Sequence, residues 1–155
     1  LASVPARMFI VAAVRLVVGA ALLGAAILAG AENGRPLAQF SFGTAMLVLV
    51  LLADPRRRFL GLRGEPTAVP DHARYDRWWE MAARAVFPST VGVSILAAVA
   101  LLFDASVAAF LAGAVAGMGV AAVVAGVKNL WWERRHGVRA FADRSRPPRL
   151  FTAPR

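Results

Sequence analysis

The chain of 155 residues lacks cysteine altogether and contains only two histidines, His72 and His136. The absence of cysteine excludes disulfide bonds, thiolate catalysis and cysteine-ligated zinc or iron–sulfur centres. Both histidines lie outside the long apolar stretches. The sequence positions of the other polar residues suggest no Ser-His-Asp set, carboxylate pair or cluster with the spacing of metal ligands. We therefore predict no catalytic residue, no metal site and no cofactor.

Acidic residues and lysine are also scarce, so the formal net charge of +9 comes almost wholly from arginine. A basic chain can bind nucleic acid, but this sequence has no recognisable module that reads bases. In a membrane protein, arginines set the topology and attract anionic phospholipid, and these roles explain the basic charge better than nucleic-acid binding does. We therefore predict no nucleic-acid partner. Carboxylates are missing from the apolar stretches, which argues against a proton- or ion-coupled transporter.

Apolar residues make up 59% of the chain and are concentrated in four stretches, at residues 8–30, 37–53, 81–103 and 107–127. A helix needs roughly 20 apolar residues to cross a bilayer, and the second stretch is near the lower limit. The stretches are apolar on all sides, whereas transmembrane strands would alternate in polarity. We predict an all-α integral membrane protein, a single domain over residues 1–155, built of two antiparallel transmembrane hairpins.

The first stretch also resembles a secretory signal, because Arg7 precedes it and small residues follow its apolar part. Its apolar part is longer than the roughly 7 to 15 residues typical of a signal, and further spans follow. We therefore expect a retained first helix.

The arginines predict the orientation of these spans. The connection at residues 54–80 carries six arginines, and the tail at residues 128–155 carries seven arginines and one lysine. The opposite side holds only Arg35 among basic residues. The positive-inside rule then predicts a bacterial-type inner membrane protein with both termini cytoplasmic.

The two halves of the chain share a layout. Arg15 and Arg84 each lie about 20 residues before an outer loop, and each half ends in a basic, aromatic segment. Either a weak internal repeat or the general arrangement of four-span proteins explains this likeness, and the sequence leaves both open.

Small side chains recur every four residues in the fourth stretch and include a GxxxG pair: Ala109, Gly113, Gly117, Ala121 and Ala125. Helices associate in lipid through close packing, which such a stripe permits. We predict that a helix packs on this stripe, either within the bundle or from another subunit. The first stretch offers a partner in Ala13, Ala21, Ala25 and Ala29.

Arg15 and Arg84 are the charges inside the apolar stretches. They either snorkel to the cytoplasmic surface or converge on one anionic headgroup, since guanidinium groups bind phosphate well. Four tryptophans, at the start of the third span and the end of the fourth, are predicted to lie at headgroup level: Trp78, Trp79, Trp131 and Trp132.

Pro88 predicts a kink in the third span. Beyond the fourth span, residues 130–141 have the pattern of an interfacial amphipathic helix. The proline-containing run at residues 145–149 predicts a disordered tail or an arm that wraps a partner.

The sequence offers no catalytic, metal or cofactor site, but it has surfaces suited to helix packing. This combination favours a non-catalytic accessory or assembly subunit of a larger integral membrane complex, with other membrane subunits and anionic phospholipid as partners. The alternative is a small homo-oligomeric transporter or channel for an anionic or lipid-linked substrate, with Arg15 and Arg84 in its path. A membrane enzyme of lipid metabolism is a third reading, which the lack of a general base argues against.

Overall fold

The computed structural model describes residues 1–30, 35–53, 67–70, 73–86, 89–143 and 150–154. These residues are mostly helical and include four short strands. In chain order the elements are β1 (Ala2–Ser3), α1 (Val4–Gly30), α2 (Arg35–Ala53), β2 (Thr67–Ala68), α3 (Trp78–Val86), α4 (Ser89–Ala100), α5 (Ala105–His136), β3 (Val138–Ala142) and β4 (Leu150–Pro154).

Local sequence signals account for the ends of the long helices. Pro5 and Pro36 lie in the first turns of α1 and α2, where a missing backbone N–H costs no helical hydrogen bond. Asp104 caps α5, because its Oδ1 accepts from the Ser106 N–H at 2.7 Å. Gly137 ends α5 in the left-handed conformation, with φ 65°, and donates its N–H to the Glu133 carbonyl.

The central element is α5, which packs against α1, α2 and α4, while α3 lies against α1. Where α5 begins, Ala108 and Ala109 are buried together with Ala26 of α1, and Leu101 packs on them. We call this the far end of the bundle. This contact joins the end of α1 to the start of α5. The two helices are therefore antiparallel.

A four-stranded sheet covers the opposite end of the bundle, in the order β1-β3-β4-β2. Strand β3 pairs antiparallel with both β1 and β4, and β2 pairs parallel with β4. Its small core contains Val4, Ala140 and Ala142, against which Trp132 and Leu150 pack. The sheet therefore joins the start of α1, the connection after α2 and the chain beyond α5. We call this the sheet end.

The bundle has small residues inside and large apolar residues outside. The buried side chains of the helices are mostly alanine, whereas Val17 is 69% exposed, Leu28 87% and Leu49 68%. Water would make such a surface unfavourable, and lipid would not. Within the described residues, α1 and α5 are long and apolar enough to cross a membrane, whereas α2 and α4 are shorter apolar helices. These features support a membrane protein.

The observed elements correct several predicted boundaries. Within the described residues, the predicted third span at residues 81–103 contains α3 up to Val86 and α4 from Ser89 to Ala100, and the predicted kink residue Pro88 lies outside them. Helix α5 continues to His136, beyond the predicted limit at residue 127.

The predicted amphipathic helix over residues 130–141 is wrong beyond His136. Residues 138–142 form β3 instead of continuing an amphipathic helix, because Gly137 terminates α5. Residues 150–154 form β4 and pair along the whole of β3, so this part of the tail belongs to the fold. The run at residues 145–149 lies outside the described residues.

Candidate functional site

The small-residue stripe of α5 meets α2 inside the chain. Glycine has no Cβ, and the space for one shows how closely the helices approach. A Cβ added at Gly117 would lie 2.8 Å from the Thr44 carbonyl oxygen, and one added at Gly113 would collide with the Phe40 carbonyl oxygen. The approach is mutual, since a Cβ at Gly43 of α2 would collide with the Phe110 carbonyl oxygen. The Thr44 hydroxyl donates to the Gly113 carbonyl at 3.0 Å. We call this contact the α2–α5 seam.

The stripe changes character along α5. Ala109 is fully buried at the far end, whereas Ala121 and Ala125 are only half-buried. The Ala125 carbonyl accepts from the Asn129 side-chain amide at 2.8 Å, which satisfies that buried polar group. The seam with α2 is therefore formed by the part of the stripe around Gly113 and Gly117.

Helix α1 packs on a different face of α5. A Cβ at Gly19 would lie 3.0 Å from the Ala116 Cβ, and one at Gly119 would lie 3.2 Å from the Ala12 carbonyl oxygen. The alanine row of α1 that was predicted as partner of the stripe faces outward instead: Ala13, Ala21 and Ala29 are exposed, and Ala25 is half-exposed. The contacting face of α1 carries Ala12, Gly19 and Ala26, so that prediction of the partner face is wrong.

Arg15 faces the start of α4. Its Nε donates to the Thr90 Oγ1 at 3.3 Å, and its Nη2 donates to the Ser89 Oγ at 3.4 Å. Thr90 is buried, and Arg15 is half-buried. The guanidinium is therefore held at the start of α4, and its two acceptors there are neutral hydroxyls.

Arg84 lies in α3, which packs against α1, but its side chain lies outside the described part of the chain. Convergence of Arg15 and Arg84 on one ligand therefore stays a prediction. His72 also lies outside the described residues. His136 ends α5, where its Nδ1 lies 2.9 Å from the Trp132 carbonyl oxygen.

The four tryptophans lie near the sheet end, at the start of α3 and the end of α5. Three of them are well exposed, namely Trp78, Trp79 and Trp131. The guanidinium of Arg77 lies 4.8 Å from the Trp79 ring centroid, and that of Arg135 lies 5.2 Å from the Trp131 centroid. These are cation–π distances. Trp132 differs, because it is half-buried and stacks on His136.

Sequence reasoning missed a buried carboxylate at the sheet end. Glu133 of α5 is only 5% exposed, and its Oε1 accepts from the Ala140 N–H at 2.7 Å. The β1–β3 register pairs Ser3 with Phe141, so Val4 would lie opposite Ala140 if β1 continued. Val4 instead begins α1, and Glu133 accepts the hydrogen bond in place of a strand.

Glu133 also lines an open depression of about 440 Å³ between the start of α1, the end of α5 and β3. Phe9, Leu130 and Phe141 form apolar walls, and Arg139 lies at the same depression. Gly137 was the signal that could have revealed this arrangement, since a glycine after a helical run predicts a helix end and a reversal of the chain.

Within the part of the chain that the structure describes, no group of three or more His, Asp or Glu residues is placed to hold a metal ion. Comparison of the chain with protein-family models, curated proteins and solved structures found no match. Function must therefore be inferred from the residues and contacts of the chain itself.

Proposed function

We propose that the chain crosses a bacterial-type inner membrane four times, with the sheet end and both termini in the cytoplasm. Among the described residues, the arginines that precede α3 and those from the end of α5 to β3 lie near the sheet end, as the positive-inside rule requires: Arg74, Arg77, Arg134, Arg135 and Arg139. Helix α2 packs on α5 through the seam around Gly113 and Gly117, and α3 with α4 leads from the sheet end to the far end. These contacts support two hairpins packed around α5.

We further propose that the protein is a non-catalytic accessory or assembly subunit of a larger integral membrane complex. The observation that carries this proposal is the outer face of α1. Ala13 and Ala21 are exposed there, and a Cβ at Gly24 would meet nothing within 4 Å. A row of small residues allows another helix to approach closely, and no helix among the described residues covers this row.

Affinity isolation in mild detergent tests the proposal, with the tag placed at the C-terminus. Gly24→Leu should reduce recovery of co-isolated membrane subunits about tenfold, because the added side chain obstructs the approach of a partner helix. Gly92→Leu is the matched control, since a Cβ at Gly92 of α4 also meets nothing within the chain. Isolation of the wild-type protein as a partner-free monomer would contradict the proposal.

Arg15 supports an anionic phospholipid as a second partner. Two N–H groups of its guanidinium donate to hydroxyls, which carry no negative charge. A lipid phosphate would supply the opposite charge. Arg15→Gln together with Arg84→Gln should deplete co-purified anionic lipid, which lipid mass spectrometry measures. Arg35→Gln, at the other side of the predicted membrane, is the control. Unchanged anionic lipid in the double variant would exclude this role.

A small transporter or channel for an anionic or lipid-linked substrate is the second candidate function. It is favoured by the half-buried Arg15 guanidinium at the start of α4, because charged side chains within membrane helices mark substrate or ion paths. Proteoliposomes loaded with radiolabelled phosphate distinguish the two functions. Flux that Arg15→Gln abolishes would support transport, and the absence of flux above protein-free vesicles would exclude phosphate transport.

A further inference from the structure

The open depression beside Glu133 combines apolar walls with charged groups. Its volume is about 440 Å³, and it is lined by five apolar residues, one serine, one carboxylate and one guanidinium. It lies between the membrane-embedded helices and the sheet, at the level where the exposed tryptophans Trp78 and Trp131 lie. A lipid headgroup would be found at this level if the proposed membrane placement is correct.

The apolar part of the depression is continuous with the α1–α5 contact. Phe9 lies at its helix side, where the ring packs on Gly126 of α5: a Cβ there would lie 3.1 Å from the Phe9 Cζ. Leu130 lies one turn beyond Gly126 on α5. An acyl chain that follows this contact would leave the depression directly into the bilayer.

The polar part of the depression contains two opposite charges on different elements. Arg139 and Phe141 are two residues apart in β3, so they share one face of the strand, while Ala140 and Ala142 face the sheet core. Glu133 approaches from α5, fixed by its hydrogen bond to the Ala140 N–H. A buried carboxylate is unfavourable unless it is hydrogen-bonded or paired with a cation.

We infer that this depression binds a zwitterionic aminophospholipid, of the phosphatidylethanolamine type. Its ammonium group would donate to the Glu133 carboxylate, its phosphate would accept from the Arg139 guanidinium, and its acyl chains would lie along Phe9 and Leu130. A positive charge that carries N–H donors decides this choice. Phosphatidylglycerol has no ammonium group for Glu133, and the quaternary ammonium group of phosphatidylcholine has no N–H to donate.

Lipid retention by the full chain tests the inference. The protein is reconstituted in vesicles of equal parts phosphatidylethanolamine, phosphatidylcholine and phosphatidylglycerol with identical acyl chains, then extracted in mild detergent, and the retained lipids are quantified. The wild-type protein should enrich phosphatidylethanolamine over phosphatidylcholine about tenfold, as expected for one charge-assisted hydrogen bond. Equal retention of these two lipids, or preferential retention of phosphatidylglycerol, would overturn the inference.

Glu133→Gln is the decisive variant, because the amide oxygen can still accept from the Ala140 N–H while the charge is lost. It should abolish the enrichment, whereas Arg139→Gln should reduce retention of all three lipids. Arg135→Gln is the matched control, since Arg135 lies over Trp131 and does not line the depression. Undiminished enrichment in Glu133→Gln would contradict the assignment.

A measurement on the wild-type protein keeps the test independent of any variant that fails to fold. Successive N-methylation of phosphatidylethanolamine removes ammonium hydrogens one at a time, so retention should fall with each methyl group. Retention that does not depend on methylation would overturn the inference. The inference rests on the proposed placement of the sheet end at the membrane surface. Recovery of the protein in the membrane fraction tests that placement separately, so the two failures are distinguishable.

Discussion

At the residue scale, glycines decide how closely the helices approach. Gly43 and Gly113 lie at positions where a side chain would collide with a backbone carbonyl of the neighbouring helix, and backbone atoms cannot move aside as a flexible side chain can. Gly24 and Gly92 lie in open surroundings. The same residue type therefore has a packing role in the first pair and no internal contact in the second.

Gly113→Ala should destabilise the protein by about 1–3 kcal/mol, because the added methyl group forces α2 away from α5. Gly92→Ala should cause no loss of stability, and its higher helix propensity favours a small gain. Thermal unfolding of both variants in the same detergent measures the difference. Equal melting temperatures would show that the α2–α5 seam contributes little to stability.

Glu133 has a structural role that is separable from its charge. Glu133→Ala leaves the buried Ala140 N–H without an acceptor and should cost about 1–3 kcal/mol of stability. Glu133→Gln retains an acceptor oxygen and should cost clearly less. Hydrogen exchange at Ala140, together with the unfolding free energy, checks both variants. Similar destabilisation by both would mean that the charge itself stabilises the fold.

At the element scale, the residues at the two ends of α5 determine where this long apolar helix begins and ends. Asp104 begins it at the far end, and Gly137 ends it just before β3. Helix α4 has a comparable role at its own start, where the Ser89 and Thr90 hydroxyls accept hydrogen bonds from the Arg15 guanidinium.

Asp104→Ala should destabilise the start of α5 by about 1 kcal/mol, because the Ser106 N–H loses its acceptor. Asp104→Asn should retain most of the stability, since its side-chain oxygen can still accept. Amide exchange in the first turn of α5, measured in detergent micelles, reports the effect locally. Protection that is unchanged in Asp104→Ala would indicate that the cap is dispensable.

At the scale of the whole molecule, the sheet connects three separated parts of the chain at one end of the bundle. Residues 2–3, 67–68, 138–142 and 150–154 contribute strands to it, and the Asp76 N–H donates to the Leu1 carbonyl at 2.7 Å close to the start of α3. These contacts require the three parts to lie on the same side of any membrane that the bundle crosses.

Single-cysteine labelling tests the four-span topology without background, because the chain has no cysteine of its own. In intact cells, a membrane-impermeant maleimide should label Arg35→Cys and Phe103→Cys, but label Ala68→Cys only after permeabilisation. All three positions are exposed in the structure. Labelling of positions 68 and 103 from the same side would contradict a crossing by α3 and α4, and the reverse pattern would invert the orientation.

The sequence by itself determined that the chain is mostly helical and that apolar helices long enough for a membrane are present. The length and composition of these stretches are enough to predict the helices, because a long apolar helix satisfies its own backbone hydrogen bonds wherever it is placed. The small-residue stripe around Gly113 was also visible, since its spacing follows from helix geometry alone. Its partner was not, because many alanine rows could meet such a stripe.

Only the tertiary structure decided which surfaces meet. The α2–α5 seam depends on Gly43 and Gly113 lying at the same height, which loop length and helix tilt set together. The sheet brings together strands more than 60 residues apart, and no local pattern specifies such pairing. Glu133 became a buried hydrogen-bond acceptor for the same reason: its partner in β3 is reached only after Gly137 reverses the chain.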